Sequence, residues 1–102
     1  MSPELTAAIA DAKCAIAAWK EAHERSRRYI AACAACPDPT KATDPTTFLA
    51  ESVRHRQLID VWHVSYGNEE KVRHLARQKL DDVDRLFSAE VGLPRHLSLS
   101  DF

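Results

Sequence analysis

The stretch Ser65–Lys71, SYGNEEK, decides how many helices this chain of 102 residues forms. Gly67 follows an apolar, helix-periodic run ending at Tyr66, where a glycine commonly closes a helix. Asn68 then supplies a capping side chain, and Glu69 and Glu70 are first-turn acids suited to a helix dipole. Read locally, the segment is a stop followed by a start. The other glycine, Gly92, follows Val91 with Pro94 just beyond, a second stop signal.

Two more starts are legible. Ser2-Pro3-Glu4 pairs a capping serine with a first-turn proline, and Asp44-Pro45 repeats the pattern. Pro37 pushes Cys36 out of helical geometry, which ends the first helix near residue 35. Helices over about 3–35, 45–66 and 69–91 follow, with a tail at 92–102. No run alternates with the two-residue period of a strand. The sequence therefore predicts an all-α fold in one domain, a three-helix antiparallel bundle with a long first helix.

The first helix carries a seam at alternating spacings of four and three: Leu5, Ile9, Ala12, Ile16, Trp19, His23, Ser26, Ile30 and Cys33. Ala8, Ala15, Ala22 and Tyr29 widen it on one side. In the third helix Val72, Leu75, Ala76, Leu80, Val83, Leu86, Phe87 and Val91 make one broad stripe. The second helix is apolar on two sides: Phe48, Ile59, Trp62 and Tyr66 with His55 on one, Leu49, Val53 and Val64 on another. At 1.5 Å per residue the first helix reaches about 50 Å against about 33–35 Å for the others. Its overhang and the doubly apolar second helix both predict self-association as a homodimer, probed by sedimentation; a break near Lys20–Arg28 is the alternative. In the tail, Leu93, Leu97, Leu99 and Phe102 suffice to anchor it in a groove.

Charge narrows the partners. The net charge is −1, with 14 basic and 15 acidic residues, and no segment is lopsided. That balance argues against nucleic acid and anionic membranes. No apolar run approaches the roughly 18 residues a membrane span needs, and Met1–Lys13 lacks the features of a signal peptide. Three cysteines, an odd number, fit a reducing, cytoplasmic location.

Cys33-x-x-Cys36 is the nearest approach to a chemical motif. Redox pairs of this type set a thiol at a helix N-terminus, whereas this one closes a helix C-terminus. As a metal site it needs two further ligands, and a distant histidine such as His23 or His55 could contribute only by tertiary accident. A small metal or redox protein using Cys33, Cys36 and His23 is thus the alternative to a structural role, which the residues favour. Two glycines cannot make a phosphate-cradling loop. In outline the chain resembles the all-helical chorismate mutases, through its long first helix and Pro-containing loop. The resemblance stops there: no arginine precedes Arg25 in the first helix, and Thr46-Thr47 follow Asp44-Pro45 where that family has a basic-acidic pair.

No catalytic set or cofactor is therefore expected. The sequence points to a non-enzymatic protein–protein interaction protein, an adaptor, inhibitor, chaperone or regulatory subunit that occupies a partner protein's surface. Interface anchors are commonly aromatic residues and arginine. The candidate contact residues are Leu49, Val53, Trp62 and Tyr66, with Arg25, Arg28 and Arg54 at the rim.

Overall fold

The computed structural model describes residues 1–92 and 97–102. Two helices, α1 (Pro3–Ala35) and α2 (Pro45–Val91), pack antiparallel as a single hairpin, with 3₁₀ turns at Pro39–Lys41 and Leu99–Asp101. No strand occurs among the described residues. The hairpin is a rod of 69 × 18 × 13 Å. Its radius of gyration is 20.7 Å, where a compact chain of this length has about 13 Å.

The starts and stops of α1 fall where the sequence sets them. Ser2 Oγ accepts from the Leu5 N–H at 3.2 Å, and Pro3 sits in the first turn, where its missing N–H costs nothing. Cys36 is extended, and its N–H returns to the Cys33 carbonyl. The helix has no break near Lys20–Arg28. Asp44 caps α2 through the Thr47 N–H at 3.1 Å, and Gly92, left-handed at φ 71°, ends it.

The expectation of three helices is overturned at Gly67. The chain passes through SYGNEEK without interruption, so the helices expected at 45–66 and 69–91 are one α2 of 47 residues. Gly67 keeps a negative φ, and only Gly92 is left-handed. An interior glycine costs a helix about 1 kcal/mol, which is too little to break it unaided. Opposite Gly67, α1 runs on unbroken and needs a partner along its whole length. Asn68 caps nothing here; Glu69 is buried against α1.

The overhang is also reversed. Cross-links between the helices pair residues whose numbers sum to about 92: Ser2 with Glu90, His23 with Glu69, Ser26 with Ser65. The end of α1 therefore lies level with residue 57, and about a dozen residues of α2 project roughly 18 Å beyond it. The loop with the Pro39–Lys41 turn folds back over one side of that projection, leaving Glu51, Ser52, His55, Leu58 and Ile59 half-buried.

The dry core is confined to the other end of the rod. Leu5, Ala12, Ala15, Ile16, Ala76, Leu80 and Val83 form it, with Trp19, Leu86, Phe87, Leu97 and Leu99 packed around. The tail thus does anchor, through Leu97 and Leu99; Leu93 lies outside the described residues. The Asp84 carboxylate accepts from the Leu97 N–H at 3.0 Å and holds the tail against α2.

Candidate functional site

Midway along the rod the apolar seam gives way to a polar layer. Glu69 is buried, and its Oε1 accepts from Nδ1–H of His23, which stacks on Trp19 with ring centroids 5.7 Å apart. One turn further, the buried Ser26 hydroxyl meets Ser65 at 3.2 Å. A buried carboxylate must be paired to be tolerated, and a single polar pairing in a helical seam is a recognised way of fixing register. His23 on the seam was legible in the sequence. Its partner was not, because Glu69 reads locally as a first-turn acid. The layer does not bring His23 to His55: 14 residues of α2, or about 21 Å, separate Glu69 from His55.

The cysteine candidates fall apart as a metal set. Cys33 and His23 are ten residues apart on the straight α1, roughly 15 Å. All three thiols are free, with Cys14 exposed and Cys33 and Cys36 half-buried. Among the described residues no three His, Cys, Asp or Glu side chains gather as a metal cage.

The contact residues expected on the 45–66 segment divide between two flanks of α2. Leu49, Val53, Val61 and Val64 lie on one, exposed by 62%, 56%, 44% and 76%. There Val61, Val64, Ser65 and Asn68 join Arg25, Tyr29 and Asp60 to line a shallow open groove of about 530 Å³ between the helices. Arg54 is exposed on the same projecting end, while Arg28 reaches back to Glu24 in a solvent-exposed pair at 3.7 Å. Val61 and Asp60 were missed as candidates; the heptad-like recurrence 61, 64, 68 carried the signal.

Phe48 and Tyr66 stay exposed on the second flank. Trp62 tilts against Tyr66 with centroids 6.0 Å apart, and against His63 at 5.0 Å. Trp62 itself is only half-buried, yet its Nε1 is sealed from solvent without an acceptor, as is that of Trp19. Each such N–H costs about 1–3 kcal/mol, so the indoles are held by packing. Trp62 is therefore a fixed base for the Tyr66 ring more than a free anchor.

Ile9, Ile16, Leu80, Val83, Phe87, Leu97 and Phe102 line an apolar groove of about 250 Å³ on the other side of α1 from Tyr29 and Arg25. The tail already roofs that side. The face bearing the Arg25–Val64 groove has no such cover among the described residues.

Exposed carboxylates at the helix ends are tuned by hydrogen bonds. Asp38 is held below the ordinary carboxylate range chiefly by the Thr40 hydroxyl and N–H, Asp44 by Thr47, and Glu90 by the Ser2 backbone N–H at 3.0 Å. They are caps and clasps. No helix is long and apolar enough to cross a membrane among the described residues. Compared with known proteins, the chain matches no family model, no curated protein and no solved structure.

Proposed function

We propose that this chain is a non-enzymatic protein–protein interaction protein, an adaptor, inhibitor, chaperone or regulatory subunit that also self-associates. The observation that carries the reading is the bare apolar surface of α2 between Phe48 and Tyr66. Six large side chains there, Phe48, Leu49, Val53, Val61, Val64 and Tyr66, are more than two-fifths exposed on two flanks of one helix. Scattered exposed apolar residues are ordinary, but six on about five turns of one rigid helix support a docking role for it. Arg25 and Arg54 at the edges supply the polar rim that such surfaces carry. The odd cysteine count supports a reducing, cytoplasmic setting for this work.

The test is capture from the native host on immobilised chain. A protein partner is expected to bind saturably and to be lost with Phe48→Ser/Tyr66→Ser, while Val64→Lys tests whether the valine flank takes part. Identical captured sets for the wild type and both variants would exclude this surface.

A further inference from the structure

We infer that a second copy of this chain occupies the face bearing the Arg25–Val64 groove, joined by a two-fold axis near Val64 into an antiparallel four-helix assembly. The inference rests on the interaction reading and divides its surface: the valine flank serves self-association, which leaves the Phe48–Tyr66 flank for an unlike partner.

Three observations name the occupant. The first is area. The chain exposes 7359 Å², whereas a compact protein of 11.4 kDa exposes about 5,800 Å². The excess of roughly 1,600 Å² is about twice what one partner contributes to a standard interface, near 800 Å². The second is one-sidedness. The tail packs along the Ile9–Ile16 side, whereas the exposed Val61 and Val64 and the half-buried Tyr29 on the opposite face have no cover among the described residues.

The third is self-complementarity. Arg25 and Asp60 line the same groove, and neither makes an ion pair within the described chain. Arg25 stands level with residue 67, about seven residues or roughly 10 Å along the rod from Asp60. A two-fold axis halfway between those levels passes beside Val64. It brings Arg25 of each copy opposite Asp60 of the other, two identical pairs from one operation, as an isologous interface requires. The same operation sets Leu75, itself exposed, within a residue of the level of Val53 in the second copy. The exposed, small Ala18 lets the second copy's projecting α2 approach α1.

Sedimentation of the purified chain alone tests this apart from any outside partner. The wild type is expected to be a dimer at micromolar concentration. Arg25→Asp and Asp60→Arg are each expected to weaken it by about tenfold or more, since each opposes like charges, while the double variant Arg25→Asp/Asp60→Arg returns to within about threefold of wild type. The rescue separates a broken interface from a broken fold. A helical wild-type monomer overturns the inference and the self-association in the proposed reading, and leaves the surface for an unlike partner standing. Single variants that dimerise like wild type, or a double variant no better than the singles, overturn the Arg25–Asp60 geometry.

Discussion

Replacing Gly67 by alanine asks whether the middle of the chain is helix or hinge. A Cβ built at Gly67 meets nothing within 4 Å, so the methyl neither clashes nor packs. What remains is intrinsic helix preference, worth about 1 kcal/mol in favour of alanine. For a chain of this size that raises Tm by roughly 4–8 °C, read by thermal melts at fixed protein concentration because of the proposed dimer. Gly92 is the internal control. It too has open space around it, but its φ of 71° penalises any side chain. Gly92→Ala should lose about 1–2 kcal/mol, the cost of a left-handed L-residue. Two glycines in equally open surroundings thus shift stability in opposite directions. A Gly67→Ala variant that melts lower than wild type would show a left-handed or hinged Gly67 and refute the single α2.

Other consequences can be measured in the same way. Leu80→Ala, at a core site 3% exposed, should cost about 2–5 kcal/mol in urea unfolding. Removing the His23–Glu69 pair one side at a time and then together should reveal a coupling of about 0.5–3 kcal/mol in a double-mutant cycle; additive losses would show that the layer fixes nothing. The depressed carboxylates Asp38, Asp44 and Glu90 contribute stability that is complete above the ordinary carboxylate range. It is lost as pH falls below about 4, so helicity should loosen at the caps there, and Asp44→Asn should flatten that acid limb of the stability curve. Protein purified without chelator should carry no stoichiometric zinc or copper by elemental analysis; a stoichiometric metal lost in Cys33→Ser would revive the metal alternative.

Much of the fold could be read because its signals are local. Ser2-Pro3 and Asp44-Pro45 fix helix starts through capping and a proline's fixed φ, and Pro37 and Gly92 fix the ends. Gly67 could not be read because its meaning is not local: the same residue is a left-handed cap in one context and a tolerated interior position in another. The deciding fact, an unbroken α1 alongside, lies some forty residues away in sequence. Glu69 was misread with it, since a first-turn acid and a buried partner for His23 look alike until the neighbouring helix is placed. The two apolar flanks of α2 were legible from helical periodicity, and Leu49, Val53 and Tyr66 are exposed as a contact surface needs. Trp62 was not separable from them, because periodicity gives direction around a helix and not depth.

The association of the chain with itself is tested most directly by size-exclusion chromatography coupled to small-angle scattering. The proposed dimer predicts a particle of twice the 11.4 kDa chain mass. It should be longer than the 69 Å single rod by only about 13 Å, because the axis near Val64 offsets the two copies by roughly nine residues. A particle of 11.4 kDa and 69 Å, or a dimer twice as long as the rod, would contradict it.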